Sequence, residues 1–442
     1  MRLVRVAVNV EQLLYRPPGG IGRYTAKLVT LLPQLFPDDS VVAFTARHPR
    51  AEIDAAWQAA TGGTGGGRGT IGRSGATGQA GGTGTGTGES GGTGESGGTG
   101  ESGGSGAPPI RLPLPRALLY EGWNTLGVGR LDWLARELSG MDLVHAPSVA
   151  VPPRGRAPLI VTVHDVAPAL FPQSFPIHGR WFHARGLAAT ARRADLVITV
   201  SHSAAAEIAA HSDISPDRLR VVPNGVDHVE ASAGEIRATQ ARHDLSAVPY
   251  ILWVGTLEPR KNVTTLVRAF AALVESGRAA DHRLILAGPT GWLSDDLVPA
   301  SLMARHGGPG GHIRLIGPVE ESELRALYAG ATLFALPSRH EGFGLPVLEA
   351  MAQGTPVVCA DIAALRELVV AGVDAGVVAV AARLVAPDDV DGWADAIATL
   401  IDDEAARRRL GQAGRDRAAA FSWEHTIRAT RQVYAEAVGG AG

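Results

Sequence analysis

The chain holds one cysteine, Cys359, which excludes an internal disulfide and a cysteine metal cluster. Charge is also scarce: charged residues make up 19%, with 41 Lys plus Arg against 44 Asp plus Glu, a formal net charge of −3. That balance carries no electrostatic footprint for nucleic acid or for an obligatory anionic surface. No apolar run approaches the roughly 18 residues needed to span a bilayer; the longest candidates are residues 326–337 and 375–382. The opening MRLVRVAVNV runs straight into a strand pattern, without the basic region, apolar core and cleavage site of a secretory leader. The expectation is a cytoplasmic protein whose membrane contact, if any, is peripheral to the inner face of the cell membrane.

What is present is globular: 45% of residues are hydrophobic, and 442 residues exceed one ordinary core, so two domains are expected. Glycine numbers 56, but 23 of these fall within the 46 residues 61–106. This Gly/Thr/Ser segment has almost no apolar side chain to offset the entropy of ordering it and is predicted to be a flexible insertion between the second strand and the next helix. Its Gly67-x-Gly69-x-x-Gly72 and Gly88-Glu-Ser-Gly-Gly strings imitate phosphate and nucleophile motifs, yet neither follows a strand or opens a helix.

Elsewhere short β-branched runs alternate with helical Ala/Leu/Arg stretches, the pattern of parallel α/β units. One set of strands is predicted at residues 3–10, 41–45, 143–146, 159–163, 196–200 and 220–222. A second is predicted at 250–254, 283–287, 313–316, 333–335 and 356–359. The turn-rich Pro223-Asn224-Gly225-Val226-Asp227 between them sets a boundary, giving domains 1–227 and 228–420, with 421–442 a helix returning to the first. Two doubly wound, Rossmann-like domains facing one another would place a cleft between the carboxyl ends of their sheets.

The stretch Pro337-Ser-Arg-His-Glu-Gly-Phe-Gly-Leu-Pro-Val-Leu-Glu-Ala350 carries the most chemistry. It leaves a strand and enters a helix, with Pro346 suited to the first turn because an amide there has no intrahelical partner. Gly342 and Gly344 permit close approach of a ligand, and the amides near Gly344 and Leu345 at the positive end of the helix dipole suit a diphosphate. Glu349 is expected in the first turn beside that anion site and Glu341 on the preceding loop. Eight positions apart, the two can hold opposite ends of one ligand. Arg260 and Lys261, just after a strand, can neutralise a leaving diphosphate. His164 also ends a strand; it is open to a structural or a cleft-facing role. Asp165 reads as an orienting or capping group, and Asp389-x-Asp391 as a helix cap rather than a metal motif.

The E-x7-E element from Glu341 to Glu349 resembles the signature of family 4 retaining glycosyltransferases (glycosyl transferases group 1), the GT-B group that includes many bacterial mannosyltransferases. Supporting strings stand in the same order: Gly19-Gly20-Ile21-Gly22-Arg23-Tyr24, His164-Asp165, Val200-Ser201, residues 223–227, Val254 to Asn262 and Gly317-Pro318-Val319. The resemblance covers nearly the whole chain outside the insertion. It departs where many relatives have an Arg after the strand glycine and this chain has Thr256, for which Arg260 would substitute. It implies a GT-B fold and transfer of a hexose, with a weak lean to mannose, from a nucleotide-diphosphate sugar to a carbohydrate or lipid-linked acceptor. No metal or other cofactor is expected.

By the same resemblance Gly19 and Gly20 approach the donor, and Gly317 to Val319 flank its base. Phe343, Gly344 and Leu345 line its phosphates, Glu349 binds the ribose, Glu341 and His164 meet the sugar, and Lys261 with Arg260 takes the diphosphate charge. A catalytically silent sugar-nucleotide-binding subunit, or a phosphorylase or epimerase of the same fold, remain alternatives. Residues 118–138, with Trp123 and Trp133, and 180–193, with Trp181, read either as core helices or as surfaces for membrane contact.

Overall fold

The computed structural model describes residues 3–15, 19–62, 107–292, 297–308, 310–371 and 379–440. Residues 63–106, and with them nearly all of the Gly-rich segment, lie outside the described residues.

Two parallel sheets form the frame. The first contains β1 (Arg5–Asn9), β2 (Ser40–Arg47), β3 (Ile110–Pro115), β4 (Leu143–Ala146), β5 (Leu159–Thr162), β6 (Leu196–Thr199) and β7 (Leu219–Val221) in the order 3-2-1-4-5-6-7. The second contains β8 (Tyr250–Val254), β9 (Arg283–Ala287), β10 (Ile313–Gly317), β11 (Leu333–Leu336) and β12 (Val357–Ala360). A two-stranded antiparallel ribbon, β13 (Val370–Ala371) with β14 (Ala379–Val380), precedes its last strand, β15 (Arg383–Val385); the sheet order is 10-9-8-11-12-15. Each sheet begins at its centre and reverses direction there, which is the doubly wound topology expected from the alternation of strands and helices. Central strands such as Leu159–Thr162 and Leu333–Leu336 are buried at every position, because helices cover both faces.

The structure corrects the sequence reading in three places. Strand β3 was not expected, since Pro113 and Pro115 argue against a ladder; at the sheet edge they cost little, and Phe44 pairs Ile110 in parallel register. The insertion therefore follows helix Arg50–Thr61, whose end is capped by left-handed Gly62, and precedes β3 rather than separating β2 from a helix. The three-residue β15 was likewise not expected.

The chain crosses between the sheets twice, and the two crossings touch. Val226 donates its amide to the Phe421 carbonyl at 3.2 Å, and a Cβ on Gly225 would lie 2.1 Å from the Trp423 amide nitrogen. Only glycine lets these two passes lie side by side. Helix Trp423–Gly439 then packs on the first sheet, with Ile427 and Tyr434 among Val6, Tyr24 and Leu28. A buried Arg431–Asp39 ion pair fixes it there, and Asp39 also accepts the Val4 amide at 2.9 Å.

Candidate active site

The carboxyl ends of the two sheets face each other. Ser201, after β6, donates its hydroxyl to the Gly342 carbonyl at 2.7 Å. A Cβ on Gly342 would sit 2.2 Å from the His164 carbonyl oxygen, so a side chain there would force the loops apart. His340 meets Glu207 at 2.8 Å, and Glu367 accepts the amides of His202 and Ser203 at the start of helix His202–His211.

Lys261 and Arg260 leave β8 through a 3-10 turn, Pro259–Lys261, that ends on Asn262 with φ 53°. The turn aims both cations at the loop after β11. Lys261 Nζ lies 2.7 Å from Glu341 Oε1, and Arg260 Nη1 lies 3.5 Å from Glu341 Oε2 while donating to the His340 carbonyl at 2.7 Å. Arg260 Nη2 also pairs Glu258 at 2.5 Å. Burial works to raise the Glu341 pKa, but Lys261 and Arg260 outweigh it and hold the carboxyl below its ordinary value. Burial likewise works to lower the Arg260 pKa, and Glu341, Glu258 and Asp165 reverse that. The cluster thus sets two cations against two carboxylates, Lys261 and Arg260 against Glu341 and Glu258. Buried Arg260 Nε has no hydrogen-bond partner among the described residues.

Glu349 stands apart from this cluster. Helix Leu345–Ala352 starts at Gly344, whose φ of 103° only glycine adopts easily, so Glu349 falls in the second turn rather than the expected first. Its carboxylate accepts the Tyr328 hydroxyl at 3.1 Å and forms an ion pair with Arg23, reaching across from the first sheet's Gly19–Leu35 helix. Gly20, at the start of that helix, faces Leu345, where an added Cβ would lie 3.1 Å from Cδ1. Gly19, Gly20, Leu345 and Glu349 are thereby gathered on one side.

His164 is held by two contacts. Its Nε2 donates to the Pro147 carbonyl at 3.0 Å and its ring meets Tyr24 edge-on at 5.5 Å. Burial pulls its pKa down, opposed by that hydrogen bond and by Asp165, so it is neutral with Nδ1 as the acceptor. Asp165 accepts the Ala167 amide at 3.0 Å just before the short helix Ala167–Leu170, and Asp389 caps its helix through the Gly392 amide.

Gly317, with φ 72° and open space where a Cβ would be, ends β10. Its carbonyl accepts the Gly288 amide at 2.8 Å, and Gly288 in turn packs on Gly255 after β8. Val319 follows, half-buried on the second core. Phe343 does not line the cleft with its side chain: the ring joins that core, edge-on to Phe421 at 5.9 Å, and only its backbone can address a ligand. Sequence reasoning gave no role to Arg23, Tyr24, Glu258 or Glu207. Arg23 and Tyr24 stood in the Gly19–Tyr24 string and Glu258 in the Val254–Asn262 string, and Glu207 had no signal. Among the described residues no group of three or more His, Cys, Asp or Glu is arranged to hold a metal.

Two facing doubly wound domains with cations, acids and a glycine-led helix start in the cleft define a GT-B glycosyltransferase. The chain matches Glycosyltransferase Family 4 over residues 93–230 and Glycosyl transferases group 1 over residues 237–417. It is 33% identical to the O-antigen chain mannosyltransferase B of Escherichia coli over 320 residues, 72% of this chain and 80% of that one. It is 34% identical to a D-inositol 3-phosphate glycosyltransferase of Corynebacterium glutamicum, over 55% of this chain and 58% of that one. Among solved structures, the sucrose-phosphate synthase of Thermosynechococcus elongatus superposes with a TM-score of 0.67 at 20% identity, covering 99% of this chain and 100% of that one. The Anabaena protein HepE, solved with UDP and glucose, gives 0.67 at 17% identity, covering 98% and 100%. The chain belongs to glycosyltransferase family 4 and is a glycosyltransferase.

Proposed function

We propose that this chain is a retaining hexosyltransferase that moves mannose from a nucleotide-diphosphate sugar to a hydroxyl of a growing glycan on a lipid carrier, at the inner face of a membrane. The observation that carries it is the Lys261–Arg260–Glu341 cluster opposite His164, beside the helix start at Gly344. The family supplies the class of reaction, and mannose follows the name of the Escherichia coli relative.

In this reading the bond between the sugar's anomeric carbon and the diphosphate oxygen breaks. The acceptor oxygen bonds to the same face, and its proton passes to the departing phosphate oxygen. No protein base is needed. Negative charge grows on the diphosphate as it leaves, so Lys261, Arg260 and the amides at Gly344 and Leu345 stabilise the transition state more than the ground state. Glu341 holds the two cations in place and offers an oxygen to the sugar hydroxyls; His164 offers Nδ1. Glu349 takes the ribose, Arg23 and Tyr328 orienting its carboxylate, and Gly317 to Val319 border the base. No metal takes part.

A screen of nucleotide release from GDP-mannose, GDP-glucose, UDP-glucose and UDP-N-acetylglucosamine, with and without EDTA, tests this. The expected result is release from GDP-mannose unchanged by chelator. Release from a UDP sugar alone would overturn the donor, and loss in EDTA with rescue by manganese would overturn the mechanism.

A further inference from the structure

Of the twelve large apolar side chains that stand exposed among the described residues, six lie on two adjoining segments of the N-terminal sheet's outer surface. Leu118, Leu126, Val128 and Trp133 lie in residues 116–138, and Ile177 and Trp181 open helix Ile177–Arg193. The segments are stitched together: Arg193 donates to the Trp123 carbonyl at 2.8 Å, and Glu121 pairs His178 at 3.0 Å and Arg185 at 3.6 Å. The same stretches also serve the core, where Trp123, Leu119 and Leu131 are buried. An amphipathic stretch with its inner face already satisfied has no packing reason to leave Trp133 75% and Leu126 72% exposed.

The charge around these side chains leans positive, the excess coming from residues 177–193, while 116–138 hold three arginines and three acids, Arg130 paired with Asp132 at 2.6 Å. Residues 116–138 and 177–193 together hold seven arginines and three acidic residues, whereas the whole chain is at −3. Helix Ile177–Arg193 carries four arginines and no acid. Two arginines lie over the exposed indoles, Arg130 at 5.0 Å from the Trp133 ring and Arg185 at 5.6 Å from the Trp181 ring. Indoles flanked by guanidinium groups suit the boundary between acyl chains and headgroups, the ring taking the apolar side and the cation the phosphate. A second copy of the chain is a poor occupant, because a two-fold contact would set this cationic face against itself.

We infer that this face of the N-terminal domain docks on a bilayer rich in anionic phospholipid, with Leu126, Trp133 and Trp181 entering the interface and the arginines meeting phosphates. Arg180 and Trp181 also border a cleft of about 850 Å³ whose wall includes His183, close enough to Asp165 to feel its charge. Docking by this face therefore turns that cleft toward the lipid surface. The inference rests on the reading of a lipid-linked acceptor but is tested without turnover.

Flotation with vesicles of phosphatidylcholine alone and of phosphatidylcholine with phosphatidylglycerol, at low and high salt, provides the test. Full-length protein should float with the anionic vesicles at low salt and be released by salt, its tryptophan emission moving to the blue on binding. Leu126→Ser/Trp133→Ser should lose at least tenfold in vesicle affinity, and Arg136→Gln about fivefold, with melting temperature and nucleotide release unchanged. Failure to float with anionic vesicles at low salt, or flotation of the double variant like the parent, would overturn the inference. So would a parent that is dimeric in solution and a double variant that is monomeric, because a second copy would then cover the face. A parent that floats yet releases nucleotide from no sugar donor would sink the transferase reading and leave the docking face standing.

Discussion

Replacing Lys261 by methionine removes one of two cations from a carboxylate that has almost no water. Glu341 is 8% exposed, with Lys261 Nζ at 2.7 Å and Arg260 Nη1 at 3.5 Å on its two oxygens. Breaking a buried pair by deleting one partner costs about 3–5 kcal/mol, and the surviving Arg260 contact puts this case near the lower end, about 3 kcal/mol. At about 2–4 °C per kcal/mol for domains of this size, the melting temperature should fall by about 6–12 °C. Lys261→Met/Glu341→Gln removes the stranded charge as well and should recover most of that loss. Turnover should behave differently: in the proposed mechanism both variants lack the lysine charge that opposes the leaving diphosphate, so kcat should drop by about 100- to 1000-fold in each. Glu341→Gln alone, with Lys261 present, should lose less. Calorimetry together with nucleotide release at saturating donor reads both quantities. A double variant as unstable as the single one would refute the electrostatic account of the cluster. A double variant that regains turnover would mean that Lys261 serves only to neutralise Glu341.

Glu349→Gln keeps a partner for Tyr328 but gives up a charged acceptor, and should weaken donor binding by about 10- to 100-fold in calorimetry, the value of about one charged hydrogen bond; unchanged affinity would remove Glu349 from the donor site. His145 is buried between Tyr434 and Thr162, and burial, with His164 nearby, takes its pKa from 6.5 down to about 3. Unfolded histidine takes up a proton near pH 6.5 and the folded residue does not, so this contribution to stability is complete above pH 6.5 and is lost as pH falls towards 3, about 2 kcal/mol by pH 5. Urea unfolding at pH 7 and pH 5 should show a correspondingly smaller loss for His145→Gln than for the parent. Exchanging residues 63–106 for a short Gly-Ser loop should alter loop closure by only about 1–2 kcal/mol and leave donor affinity unchanged. A melting temperature lowered by tens of degrees would contradict the composition argument.

The fold was legible where burial is symmetrical. Runs such as Tyr250–Val254 and Leu159–Val163 are apolar at consecutive positions because helices cover both faces of a parallel strand, and each was found within a residue or two of its place. Two of the four strands at the sheet margins left no such trace. In Ile110–Pro115 the two prolines and an exposed alternate face make an edge strand look like a loop, and Arg383–Val385 is too short to show any period. Gly225 was legible as a turn, but its reason was not: the strand of chain it must admit arrives almost two hundred residues later, at Trp423.

The site divides in the same way. Glu341, Gly344 and Glu349 were readable because one loop and one helix carry all three, so their spacing in sequence is their spacing in space. Their partners could not be read. Arg23 meets Glu349 from another sheet, Ser201 meets the Gly342 carbonyl and Glu207 meets His340, each across more than 130 positions. These bridging contacts have a common chemistry. They are hydrogen bonds and ion pairs between polar groups; apolar side chains cross as well, Val200 after β6 joining the second sheet's cluster and Leu345 packing against the clusters of both. A hydrogen bond exchanged for water costs about 1 kcal/mol net, far less than uncovering a core side chain. Where the two halves meet through polar groups, the contacts are cheap enough to break and remake. Opening for a donor and closing over it would exchange these polar pairs, and the pairings that set the balance between the two states are ones that no single motif spans.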